Sequence, residues 1–145
     1  FRRVLFRSAS ASVYDEGRGE AQDMLALVQQ QAPEGPLALA GFSFGAFVTS
    51  QALAALAPRE PYKVVLVGTA ASRFAVAPIA PQLHERTLVL HGESDDTVPL
   101  ASVMDWARPQ SLPVTVIPGG EHFFHGQLPL LKSLVLRHLA APLNP

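Results

Sequence analysis

The chain has 145 residues, 48% of them hydrophobic and 16% charged, with a formal net charge of −1 and no cysteine. That length and apolar content suit a single globular domain with a substantial core, and the mixed charges exclude the basic footprint of a nucleic-acid binder. Disulfides, thiolate nucleophiles and cysteine-based zinc sites are excluded as well, and the longest apolar stretch, residues 36–48, is broken by Ser43 and two glycines and is too short to span a bilayer, so a cytoplasmic protein without membrane contact is the default expectation.

Residues 1–8 read as a non-native N-terminal segment, which leaves 9–145 as the domain; were they native, Val4-Leu5-Phe6 would add a strand. Ala21, Met24, Leu25 and Val28 recur at helical spacing and predict a first helix ending near Gln31. Leu37-Ala38-Leu39-Ala40 reads as a buried strand, and a small-residue helix follows over 46–57. Three further short apolar runs follow: Lys63-Val64-Val65-Leu66-Val67-Gly68, Thr87-Leu88-Val89-Leu90 and Val114-Thr115-Val116-Ile117. They are nearly continuous rather than alternating, as parallel strands covered on both faces require. Leu100, Val103, Met104 and Ala107 mark a helix between the last two runs. Leu128, Leu131, Leu134, Val135 and His138 mark a closing one, with Pro129 in its first turn. Most of the thirteen prolines fall between these segments, and no repeat or low-complexity tract divides the chain.

Alternation of strand and helix predicts an α/β fold, a parallel sheet with helices on both faces and right-handed crossovers. All strands then point the same way, so every loop that follows a strand opens on one edge, where ligands bind. Gly41-Phe42-Ser43-Phe44-Gly45 occupies the first such junction. Glycine two residues either side of a serine, between strand and helix, is the nucleophile-elbow pattern: the turn is expected to be too tight for a Cβ at either glycine, and it lifts the hydroxyl above the sheet. The helix N-terminus aims N–H groups at the same point, where negative charge develops in acyl transfer. The third strand is followed by His91-Gly92-Glu93-Ser94-Asp95-Asp96-Thr97-Val98-Pro99 and the fourth by Pro118-Gly119-Gly120-Glu121-His122-Phe123-Phe124-His125. A serine, an acid and a histidine therefore share one edge in that chain order, which is the α/β-hydrolase order.

Each of these residues also has a plainer role open to it. Asp95 or Asp96 could cap the helix that opens near Pro99. His122 could be a solvated loop residue and His125 a rim residue, while His91, ending a buried strand, fits a structural hydrogen bond. His91, Asp95, His122 and His125 together could ligate a metal, although their spacing matches no standard site.

Gly-Phe-Ser-Phe-Gly at 41–45, the run at 91–99, the run at 118–126, and Tyr14-Asp15-Glu16-Gly17 ahead of Gly19-Glu20 together resemble the α/β-hydrolase superfamily, and more narrowly the small bacterial hydrolases related to dienelactone hydrolase and short-chain esterases. The resemblance spans residues 9–141 and implies that Ser43 is the nucleophile, Asp95 the acid and His122 the general base, with the Phe44 N–H in the oxyanion hole and no cofactor or metal. It also implies a departure: such enzymes carry further strands and an early oxyanion-hole loop that this chain does not match. The chain therefore reads as the C-terminal two-thirds of a larger enzyme, feeble or inactive alone. An exposed sheet edge would then favour self-association or aggregation.

Phe42, Phe123 and Phe124 are the candidate walls of an acyl pocket, and residues 69–82 are too few for a lid domain, which points to a small ester substrate. A non-catalytic hydrolase-like binding domain is the alternative function. An aspartate-nucleophile dehalogenase is excluded by the serine at the elbow.

Overall fold

The computed structural model describes residues 15–143; the segment 1–8 set aside above lies outside them. Helix α1 (Arg18–Gln31) presents Ala21, Met24 and Val28 on one buried face, and the Asp15 carboxylate accepts the Gly19 N–H at its start, 2.8 Å away. Strand β1 (Ala38–Phe42) leads through Ser43 into α2 (Phe44–Leu56). Strand β2 (Lys63–Val67) follows, then a loop and a 3₁₀ turn over Pro81–Arg86 that delivers β3 (Thr87–Gly92). Helix α3 (Leu100–Ala107), β4 (Thr115–Ile117) and α4 (Leu128–Ala140) complete the order.

The four strands form one wholly parallel sheet in the order β1-β2-β3-β4, with Phe42 opposite Val67, Val67 opposite Leu90, and Gly92 opposite Ile117. Strands in sequential order joined by right-handed crossovers put their connections on one face. There Ala46 of α2 and Val103 of α3 pack on Val64, Leu66 and Val89, and α1 extends this layer by packing on α2 and Leu39. The opposite face, built from Val65, Val67, Leu90 and Ile117, is covered by Leu131, Leu134, Val135 and Leu139 of α4. Period two along each strand sends successive residues into the two layers, which is why the apolar runs do not alternate.

Burial follows position in the sheet. All five residues of central β2 are buried, whereas β1 and β4 are partly exposed, each having one strand neighbour among the described residues. Helix α4 has no fully buried residue and leaves Leu128, Leu130 and Leu136 exposed. Among the described residues no helix is long and apolar enough to cross a membrane.

Candidate active site

All four strands end at one rim, and matched register makes their following loops neighbours. The Ser43 N–H donates to the Val67 carbonyl (2.8 Å), and the Gly68 N–H to that of Leu90 (3.0 Å), so the rim is tied strand to strand. Ser43 adopts φ 54°, ψ −117°, a region costly for any residue with a Cβ. The motif's two glycines serve different ends. A Cβ on Gly41 would overlap the Gly45 carbonyl and the backbone beyond it, whereas one on Gly45 would meet nothing within 4 Å. Only the first glycine is sterically required, which corrects the symmetrical expectation: the chain leaves Gly45 as a helix and faces open space there. Gly41→Ala should therefore disrupt the elbow and destabilise the protein by about 1–3 kcal/mol. Gly45→Ala should be neutral or stabilising, by up to about 1 kcal/mol. Urea melts of the two variants distinguish them.

The loops after β3 and β4 are stitched together. Gly92 lies against Gly120 so closely that a Cβ would overlap the Gly120 carbonyl. The Glu93 N–H bonds the Ile117 carbonyl and the Ser94 N–H the Gly120 carbonyl, while the Glu93 carboxylate accepts the Gly119 N–H at 2.8 Å. This seam carries Asp95 toward His122. Asp95 is buried; its Oδ1 accepts the N–H groups of Thr97 (3.0 Å) and Val98 (2.7 Å). Those bonds replace the helix-capping role considered for it, since α3 opens on Pro99 with no side-chain cap. Asp96 points outward, its carboxylate 3.5 Å from the Thr97 hydroxyl.

His122 is buried beside Asp95, with its Nδ1 2.7 Å from Asp95 Oδ2 and its Nε2 3.1 Å from Ser43 Oγ. A carboxylate accepts, so Nδ1 carries the ring proton and Nε2 is left free to accept from the serine hydroxyl. The structure thus brings Ser43, His122 and Asp95 into one relay from three separate loops. Phe44 is the first residue of α2, and its N–H has no partner among the described residues.

The three aromatic residues expected to line a pocket divide. Phe42 (42% exposed) and Phe123 (56%) flank the His122 ring, with centroids 4.9 and 5.0 Å away and 6.0 Å from each other. Phe124 is not on the rim. It is 1% exposed, in the core cluster with Val67 and Ile117, because its φ of 54° turns the chain inward. Burying that ring contributes about 2–3 kcal/mol to the fold.

His91 is fully buried and hydrogen-bonded to the Val98 carbonyl. His125 is exposed and pairs with Glu121 at 3.0 Å, away from the relay. Among the described residues no group of three or more His, Cys, Asp or Glu is arranged to hold a metal ion.

Glu121 was not singled out by the sequence reading. Its carboxylate accepts the N–H groups of Phe123 (3.2 Å) and His125 (2.6 Å), the latter being the main reason that its carboxyl sits below the usual range. It clips the loop that presents His122, and an acid just before an aromatic loop histidine was the available signal.

A lidless α/β serine hydrolase from Xanthomonas campestris superposes on 95% of this chain at 32% identity with a TM-score of 0.75. The chain has an α/β-hydrolase fold. An α/β serine hydrolase homologue from Coxiella burnetii matches 92% of the chain at 29% identity and a TM-score of 0.64. A third α/β-hydrolase-like structure, from Agrobacterium tumefaciens, matches 95% at 24% identity and a TM-score of 0.69, a likeness of fold alone. The chain spans 64% of the length of each of the first two hydrolases and 68% of the third. No protein-family model and no curated protein matches it.

Proposed function

We propose that this α/β-hydrolase acts on a carboxylic ester or thioester of a small substrate through an acyl-enzyme intermediate. The observation that carries the reading is the continuous hydrogen-bond relay from Ser43 Oγ through both His122 nitrogens to Asp95 Oδ2. Ser43 Oγ attacks the carbonyl carbon while its proton passes to His122 Nε2, and Asp95 stabilises the imidazolium. The Phe44 N–H, with the dipole of α2 behind it, donates to the oxyanion. Collapse of the tetrahedral adduct expels the alcohol or thiol, which takes the proton from His122. Water, deprotonated by the same nitrogen, then releases the acid and restores Ser43.

A fluorophosphonate probe tests the chemistry independently of turnover: one adduct on Ser43, located by peptide mass spectrometry, is expected. An unlabelled, folded protein would favour a non-catalytic binding domain.

Phe42 and Phe123 support an apolar acyl or leaving group lying against the base, and the lidless Xanthomonas relative is consistent with an open site. The motifs at 41–45, 91–99 and 118–126 favour a dienelactone hydrolase-like esterase within the superfamily. Replacing either phenylalanine with alanine should lower kcat/KM for a benzoate ester about 2- to 10-fold relative to an acetate ester. Equal losses on both esters would remove the pair from substrate recognition.

A further inference from the structure

His91 is buried, titratable and unused by the chemistry above, and its two nitrogens are treated very differently. Nε2 lies 2.7 Å from the Val98 carbonyl oxygen, an atom that can only accept, so Nε2 carries the proton. Nδ1 is buried with no partner among the described residues, so a second proton there would face no acceptor among them. The ring is therefore oriented with Nε2 as its donor. The same Nε2 is 3.5 Å from Asp95 Oδ2, the oxygen that holds His122. Val98 is gripped from both sides: its carbonyl by His91, its N–H by Asp95 Oδ1 at 2.7 Å.

We propose that His91 is a positioning residue of the relay: by holding the Val98 carbonyl from β3 and setting its N–H dipole beside Asp95 Oδ2, it fixes the carboxylate rotamer that orients His122. This inference rests on the relay reading above. Core packing alone would need neither a donor at Nε2 nor an unprotonated Nδ1, since an apolar residue would fill the space without an orphaned nitrogen. The arrangement selects a side chain whose donor reaches as far as Nε2. Glutamine places an amide N–H there; asparagine reaches only to the Nδ1 position, and leucine has no donor.

The test compares His91→Gln, His91→Asn and His91→Leu in the full chain with two readouts. The first is the low-field proton NMR signal of the His122 Nδ1–H held by Asp95, which requires no turnover. It is expected at the wild-type position in the Gln variant, and shifted upfield or broadened away in Asn and Leu. The second is the rate of fluorophosphonate labelling at Ser43, expected to fall about tenfold or more in Asn and Leu and to be largely rescued by Gln. Should His91→Leu not fold, the Gln and Asn pair decides, both being polar and similar in size. An unshifted signal and equal labelling in Gln and Asn would overturn the proposal. Absence of labelling in the wild type would instead sink the hydrolase reading, while the NMR comparison would still decide the role of His91.

Discussion

Ser43→Ala should reduce ester turnover by about 10⁴- to 10⁶-fold and abolish fluorophosphonate labelling, with the fold unchanged. The expectation is this large because Ser43 Oγ is the atom that the relay addresses, and its side chain is hydrogen-bonded to His122 Nε2, 3.1 Å away. Alanine keeps the Cβ and with it the costly φ of 54° and ψ of −117°. Glycine does not. Ser43→Gly should be equally inactive yet more stable by about 1–3 kcal/mol, because the left-handed backbone no longer opposes a side chain. A rise in thermal midpoint for Gly but not for Ala, alongside loss of turnover in both, would show that the serine is held at the elbow against its own conformational preference. Retained turnover in Ser43→Ala would remove the nucleophile from the mechanism.

Asp95→Asn should lower kcat by about 10⁴-fold, far more than a change of one atom suggests. Oδ1 accepts from the N–H groups of Thr97 and Val98, so the asparagine must place its carbonyl oxygen there. Its NH₂ then occupies the Oδ2 position and faces His122 Nδ1, 2.7 Å away in the parent. Two donors cannot share that contact, so Nδ1 must give up its proton and accept, which moves the proton to Nε2. In that tautomer Nε2 can no longer take the proton of Ser43. The same NH₂ also meets the His91 Nε2–H, a second donor against a donor. Asp96→Asn is the control: that carboxylate is exposed and lies outside the relay, so its kcat should match the parent. Steady-state kinetics on one ester compares the two, and a milder effect at 95 than at 96 would reverse the assignment of the acid.

Much of the architecture is written in the one-dimensional pattern. Continuous apolar runs at 63–67 and 87–90 specify strands buried on both faces, and those runs fall within β2 and β3. The i, i+3, i+7 spacing of Ala21, Met24 and Val28 specifies the buried face of α1. Once parallel order is granted, the loops bearing Ser43, Asp95 and His122 must share a rim, so the chain itself determined where a site could form and which serine stood at the elbow.

Composition and spacing left the choice between near neighbours open; the family resemblance pointed to Asp95 and His122, and only the tertiary structure supplies the physical reason. Asp95 and Asp96 are adjacent and chemically identical, and what separates them is the pair of backbone N–H groups that meets the first and not the second. His122 and His125 differ in whether the turn buries them, and Glu121 clips that turn by accepting the N–H groups of Phe123 and His125 on its carboxylate. Phe123 and Phe124 diverge because one positive φ reverses the direction of the side chain. Gly45 looks equivalent to Gly41, yet only the latter faces backbone across the elbow. Strands and helices have a period that a sequence can display, whereas loops have none. In loops, the irregular backbone path decides which nearby N–H a carboxylate meets, and for Ser43, Gly92 and His122 the partner comes from far along the chain and folding must bring it there.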